Sequence, residues 1–345
     1  MVFELGWEYV TDDDLGAAPE LRIVIVGCGG GGCNSVHRLN EIGVDGCVDT
    51  IAINTDRPHL SKVKAKRRLL IGQGITNGCG AGGDPQVGKQ CALNAETEIQ
   101  KLLQGANLTF VTVGLGGGTG TGLAPIVAEV AQRLGSVVIV IATTPFEVER
   151  GRPKVALRGL RELRGVCDSI LLLDNNRLLD MVSNLPVQKA FAVMDELISE
   201  MVKGMVEAIT KPSLINLDFN DLRTVLGHGG ISTVLYGENA DPESVVRDAL
   251  GNPLLEVDIT GARGAMVHIT GGENLTLKRV NKIMERINSY MDDDARVIFG
   301  AKVDPNFEGN IRLIAVVTGI AELAEDADQL DVVGDIGEIL DKYST

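Results

Sequence analysis

Residues 114–122 read Gly-Leu-Gly-Gly-Gly-Thr-Gly-Thr-Gly, between an apolar run at 108–113 and an Ala/Ile/Val-rich one at 123–134. At a strand-to-helix turn, glycines this dense expose consecutive backbone N–H groups and keep bulky side chains away from an anion. The helix N-terminus adds partial positive charge, so the turn suits a di- or triphosphate. An ordinary turn needs far fewer glycines. A second loop, Gly27-Cys28-Gly29-Gly30-Gly31-Gly32, ends an apolar strand and opens a helix at Cys33-Asn34-Ser35. Its Gly27, Gly29 and Gly32 fit the dinucleotide spacing GxGxxG, a weak signal when taken alone. Asn54-Thr55-Asp56 and Gly78-Cys79-Gly80-Ala81-Gly82-Gly83-Asp84 follow two further strands. Three glycine-rich loops exceed what a dinucleotide fold needs, and no GxxxxGK[ST] occurs, so backbone rather than lysine is expected to bind the phosphates. Far along the chain, Asp218 and Asp221 lie three apart beside Asn216; ordinary loop solvation accounts for that content equally well.

Elements must bring these loops together. Strand-like runs at 21–26, 48–54, 67–71, 108–113, 136–142 and 169–173 alternate with helical patterns at 85–103, 123–134 and 152–164. The alternation predicts an α/β fold whose N-terminal part is a Rossmann-like parallel sheet with helices on both faces. In such sheets ligands sit at the carboxyl ends of the strands, where the glycine loops fall. Residues 187–210 read as one long central helix, with Ala190, Phe191, Met194, Leu197, Ile198, Met201, Met205 and Ile209 at 3–4 spacing and Pro212 as its stop. Strands at 231–236, 265–271, 295–300 and 311–318, with helices at 241–250 and 276–291, predict a smaller C-terminal α/β domain with a mixed sheet. The expected division is an acidic extension (1–20), a phosphate-binding domain (21–186), the central helix (187–210), a second domain (211–320) and an acidic tail (321–345).

The net charge of −15 belongs to the ends. Six acidic and no basic side chains in 1–20, and eight acidic against Lys342 alone in 321–345, leave only about −2 for everything between. Acidic ends argue for solvated tails and against nucleic-acid binding by them. The basic cluster Lys62, Lys64, Lys66, Arg67, Arg68 has no interleaved aromatics and reads as a solvated edge rather than a nucleic-acid patch. The six cysteines and four histidines are scattered without a CxxC pair, so no metal site is expected and the thiols are expected reduced. Met1-Val2-Phe3-Glu4 carries no signal-peptide features, and no apolar run approaches membrane-spanning length, so the expectation is a cytoplasmic chain without direct membrane insertion. Val332, Val333, Ile336, Ile339, Leu340 and Tyr343 stand at helical spacing in an acidic background, either a disordered end or a docking peptide.

Taken together and in this order, the motifs resemble the tubulin/FtsZ family, and archaeal-type FtsZ members more than bacterial ones. GGGTGTG at 116–122 matches the family signature. Residues 27–34, 54–56 and 78–85 resemble its phosphate loops, and 216–223 (NLDFNDLR) its synergy loop. Pro253-Leu254-Leu255 and Gly261-Ala262-Arg263-Gly264 match a stretch of its second domain. The resemblance implies a GTPase that stacks head to tail into filaments and hydrolyses GTP to GDP only when the next subunit's Asn216, Asp218 and Asp221 complete the site. Heterologous contacts that do not close give such filaments.

By motif, Gly29, Gly30, Gly31, Gly32, Cys33, Asn34, Asp56, Gly117, Gly118, Thr119, Gly120 and Thr121 would surround the phosphates, with Ala81, Gly82 and Gly83 over the γ-phosphate. Glu149 would bind the ribose; Asn175 and Asp195 would read the guanine, with Phe191 against its face or, alternatively, in the helix core. Mg²⁺ would be held mainly through the phosphates. Where the family usually carries an Arg four residues after the ribose-binding Glu, this chain has Pro153, with Arg152 beside it as a substitute. The short tail lacks the long linker of bacterial members. The resemblance makes a SepF-like membrane adaptor a partner at 336–343 and a midcell ring the location. A NAD-dependent enzyme would leave GGGTGTG and 216–221 unexplained. A regulatory filament with little turnover is opposed only by the intact Asp218/Asp221 pair.

Overall fold

Strand β1 (Ile23–Cys28) is buried along its whole length, but to two sides. Ile23 and Ile25 join a core with Val36, Leu39 and Phe110, whereas Val24, Val26 and Cys28 join another with Leu123, Val127 and Leu163. A strand covered on both faces needs a continuous apolar run rather than alternation. The structure, a computed structural model, describes residues 21–44, 48–176, 186–210, 219–226, 231–251, 258–305, 307 and 309–320. The acidic ends 1–20 and 321–345, Pro212, Asn216, Asp218 and the motif at 253–255 lie outside the described residues.

In the first half, helix α1 (Gly29–Ile42) leads to β2 (Val48–Asn54), α2 (Arg57–Lys62), β3 (Arg67–Leu70) and the single turn α3 (Gln73–Thr76). Then follow α4 (Pro85–Asn94), α5 (Glu96–Leu103), β4 (Leu108–Gly114), α6 (Gly118–Arg133), β5 (Val137–Thr144), α7 (Arg152–Arg164) and β6 (Ser169–Asp174). The six strands are parallel in the order β3-β2-β1-β4-β5-β6. α1 covers one face, and α4 to α7 the other.

Three boundaries in this half depart from the sequence pattern. The helix expected over 85–103 breaks at Ala95 (φ −104°, ψ 6°), and α5 restarts so that Ile99 and Leu103 reach the core. α1 and α6 begin earlier than expected, at Gly29 and Gly118, because their glycines are helical rather than loop. A Cβ on Gly32 would stand 2.0 Å from the Thr112 carbonyl oxygen, and one on Gly122 2.1 Å from that of Pro85. Close packing at these crossings outweighs glycine's poor helix propensity.

α8 (Val187–Thr210) and α9 (Phe219–Leu226) lead into β7 (Ile231–Asn239), α10 (Pro242–Leu250), β8 (Ala262–Gly271), α11 (Leu277–Asn288), β9 (Met291–Val303) and β10 (Ile311–Thr318). The order β7-β10-β8-β9 is mixed: β10 runs antiparallel to both neighbours and β8 parallel to β9. This sheet is not separate from the first. β6 pairs with β7 through Ile170↔Ile231 and Leu171↔Ser232, so ten strands form one sheet. Such a pairing between distant segments leaves no trace in local patterning. α8 spans the junction. Its Met194, Ile198, Met201, Met205 and Val206 share a core with Leu171 and Leu173 on one side and Val234, Met266, Ile314 and Val316 on the other. Its Glu196 pairs with Arg38 (3.1 Å), Glu200 with Arg312 (3.4 Å) and Glu207 with Lys302 (3.3 Å).

The basic cluster lies at the β3 edge. Lys64 pairs with Glu41 (2.9 Å) and Arg67 with Asp49 (3.5 Å), while Lys66 Nζ donates to the Val48 carbonyl (2.6 Å), the local pairing of a solvated edge. Among the described residues no helix is long and apolar enough to cross a membrane.

Candidate functional site

The chain leaving β1, β2, β4, β5 and β6 at the sheet's carboxyl edge encloses, with the start of α8, a cleft of about 440 Å³. α1 and α6 both begin here. Gly29, at φ +69°, lies so close to Gly120 that a Cβ would sit 2.6 Å from its nitrogen, so the two helix N-termini nearly touch. Neither has a side-chain cap. The first N–H groups of a helix have no intrahelical acceptor, and here no capping side chain takes them. Gly30 and Gly117 have open space where a Cβ would stand, so a ligand can approach their backbone. Two uncapped N-termini on one cleft form an anion site built from main chain.

The loop after β2 ties these starts together. Thr55 Oγ1 and Thr119 Oγ1 are 2.6 Å apart. Asp56 caps α2 by accepting from the His59 N–H (2.8 Å) and lines the cleft together with His59, Asn54 and Asn34. Gly80 joins the lining from the third loop, where its N–H donates to the Thr55 carbonyl (3.2 Å).

The other end of the cleft is more apolar. Phe191, Met194, Asp195 and Ile198 line it from the first turns of α8. Phe191 is 41% exposed, edge-on to Phe146 with ring centroids 5.4 Å apart, so it belongs to the cleft wall and not to the helix core. Asp195 Oδ1 accepts from Ser35 Oγ (2.8 Å). Burial pushes the Asp195 carboxyl up to about 6, against the Ser35 hydrogen bond and the Arg38 charge, which pull it down. Asn175 also lines this end, and its Oδ1 is buried without a protein partner among the described residues. A buried acceptor left unpaired is costly; paired with the donors of a ligand it becomes a reader. Midway, Glu149 accepts from the Phe146 N–H (3.1 Å) and forms an ion pair with Arg152. Arg152 opens α7 after Gly151, which is left-handed at φ 87°, and that backbone turn puts Arg152 rather than Pro153 on the cleft.

Of the residues named from sequence, Gly30, Gly31, Asn34, Asp56, Gly117, Gly118, Thr119, Gly120, Glu149, Arg152, Asn175, Phe191 and Asp195 line this one cleft. Others stand behind it. Gly29 and Gly32 are packing contacts beneath it. Cys33 is buried, its Sγ 3.4 Å from the Gly27 carbonyl oxygen, and burial raises its thiol to about 12. Thr121 Oγ1 accepts from the Gly116 N–H (3.0 Å). Ala81 is buried, and Gly82 and Gly83 are exposed away from the lining; Gly80 stands there instead. Asp221, in the first turn of α9, does not line the cleft of its own chain. Ser35 and His59 were not read as site residues, and Asn54 only as part of the 54–56 loop, because their roles lie in side-chain contacts between loops.

Residues 22–183 match the family model described as the Tubulin/FtsZ family GTPase domain, and 227–321 that of the FtsZ family C-terminal domain. The chain is 51% identical to Cell division protein FtsZ 2 of Halobacterium salinarum, over 87% of this chain and 77% of that protein. It is 50% identical to Cell division protein FtsZ 2 of Methanocaldococcus jannaschii, over 87% and 80%. Among solved structures, the empty FtsZ dimer of M. jannaschii superposes at TM-score 0.83 with 40% identity, over 88% of this chain and 90% of that one. CetZ2 from Haloferax volcanii, solved as a GTPgS-bound protofilament, shares the fold at TM-score 0.76 and 24% identity, over 94% of this chain and 100% of that one.

Proposed function

Because the chain belongs to the FtsZ family, a cell-division GTPase family, we propose that it assembles head to tail and hydrolyses GTP where one copy's cleft meets the next copy's 216–221 loop. The observation that carries this reading is a cleft able to bind a nucleotide at both ends but lacking Asp221 from its own chain. The N–H groups of 30–31 and 117–120 hold the phosphates, with Asn34 and Thr119 beside them. Asp195 and the Asn175 Oδ1 accept from guanine, whose N1–H and N2–H₂ are both donors; Phe191 lies against the base and Glu149 takes the ribose. Asp221, with Asn216 and Asp218, reaches in from the neighbour and orients the attacking water. Phosphoryl transfer asks for charge stabilisation and a positioned nucleophile more than for covalent help.

Mg²⁺, when bound, neutralises charge developing on the transferred phosphoryl group. The cleft's carboxylates fit an ion carried by the nucleotide rather than caged by protein. Asp56 caps α2, Glu149 pairs with Arg152 and Asp195 accepts from Ser35. The tail segment 336–343 is our candidate docking peptide for a SepF-like membrane adaptor, which would bring the filament to a ring at midcell.

Turnover per subunit, measured with light scattering as protein concentration rises, tests the shared site. Specific activity is expected to rise above a threshold that coincides with scattering. Asp221→Ala should keep GTP binding, abolish hydrolysis and freeze the filaments. Wild-type turnover in that variant, or specific activity flat with concentration, refutes the mechanism. Nucleotide binding without turnover at any concentration points instead to a regulatory filament.

A further inference from the structure

Three cleft-lining side chains, Asn54, His59 and Asn34, form a chain of hydrogen bonds whose direction is fixed from one end. Asn54 Oδ1 accepts from two main-chain donors, the N–H groups of Thr55 (2.8 Å) and Asp56 (3.2 Å). Its amide is thereby oriented, and Asn54 Nδ2 must donate to His59 Nδ1 at 3.2 Å. An imidazole that accepts at Nδ1 carries its proton on Nε2. That Nε2–H, 2.9 Å from Asn34 Oδ1, donates to it. Asn34 stands on the second turn of α1, lines the cleft, and is left with its Nδ2 donors free of protein partners among the described residues. The backbone at 59 is fixed independently of these bonds, because the main-chain N–H of His59 donates to Asp56 Oδ1 (2.8 Å).

We infer that His59 is a positioning residue that transmits the orientation of Asn54 to Asn34, so that Asn34 presents N–H₂ and not its carbonyl oxygen to the nucleotide phosphates. The inference rests on the proposal that the cleft holds GTP. An amide rotated by half a turn would turn a lone-pair-bearing oxygen toward an anion. Without His59 the side chain must be ordered by the ligand each time it binds, and fixing one such side chain costs affinity. The same loop reaches the second helix start through Thr55 and Thr119, so its orientation is shared with both halves of the anion site.

The two arms of the imidazole can be separated chemically. A glutamine at 59 can place its amide nitrogen near the position of Nε2 and donate to Asn34. An asparagine can replace only the acceptor near Nδ1. Affinity for a fluorescent GTP analogue should be measured on nucleotide-free protein, below the assembly threshold, for wild type, His59→Ala, His59→Asn, His59→Gln, Asn34→Ala and the His59→Ala/Asn34→Ala double variant. Thermal unfolding of each serves as the control. Expected is about a fivefold weakening for His59→Ala and His59→Asn, recovery of most of it in His59→Gln, and no further loss when His59→Ala is added to Asn34→Ala. Losses that multiply in the double variant, or equal affinities of His59→Asn and His59→Gln, overturn the inference while leaving the nucleotide reading intact. A wild-type protein that does not bind the analogue overturns the nucleotide reading, and this inference with it.

Discussion

In the proposed site, Asp195 would couple nucleotide recognition to protons. Burial pushes its carboxyl in the free protein up to about 6, because it disfavours the charged form. Guanine offers two adjacent donors, which only the ionised carboxylate can accept together, so binding draws on the ionised form. Below pH 6 the free protein holds a proton that binding must expel. GTP affinity is therefore expected to be flat above about pH 7 and to fall about tenfold per pH unit below 6. The same burial weighs on folding. The folded-state value is raised above the ordinary 3.8, so the cost is full above about 6 and is relieved as pH falls from 6 towards 4. At neutral pH it is on the order of 3 kcal/mol. Asp195→Asn removes that charge and should raise the nucleotide-free protein's melting temperature at pH 7.5. It should also weaken GTP by more than about thirtyfold, because its amide N–H₂ meets the guanine donors and an unmatched buried contact costs about 2 kcal/mol or more. Calorimetric melting and fluorescence titration across pH 5–8 at constant ionic strength read both effects. The nucleotide's terminal phosphate titrates in the same window in both proteins, so the slope due to Asp195 is the difference between wild type and Asp195→Asn. Identical pH profiles, or an Asp195→Asn protein that binds GTP as tightly as wild type, would refute the argument.

Two glycines two residues apart should behave oppositely. Gly30→Ala places a methyl in open space on the cleft; melting should be unchanged while nucleotide affinity falls by more than about tenfold, as read by titration. Gly32→Ala drives its Cβ against the Thr112 carbonyl oxygen, and loss of soluble folded protein, checked by circular dichroism, is expected. Phe191→Ala removes a half-exposed ring, so the melting temperature should barely move. Affinity should fall about fivefold or more if the ring stacks on the base, where stacking contributes about 1–3 kcal/mol.

The site was legible wherever function demands a residue type that is unusual for its element. Glycines crowded at strand ends announced the anion loops, whereas Asp195 came only from the family resemblance. The strands of the first half were legible because burial on both faces makes them continuous apolar runs. What escaped depends on contacts between segments far apart in the chain. His59 meets Asn34 across 25 residues, and nothing at either position marks the pair. The early starts of α1 and α6 escaped because glycine reads as loop until a close crossing makes it obligatory. Arg152 is an intermediate case: the residue type was visible, but its place on the cleft depends on the left-handed turn at Gly151.

The junction between β6 and β7 bears on how this molecule deforms. Among the described residues two residue pairs join those strands, whereas every other neighbouring pair in the sheet shares between four and nine. The ladder is thus shortest at this junction among the described residues, and the side chains of α8 are bedded on both sides of it. Tilting one half against the other would strain two ladder pairs while the apolar contacts of α8 adjust by small slides. A body jointed in this way is stiff within each half and compliant between them. In a row of such bodies small tilts add, so a filament of them can curve without any subunit unfolding.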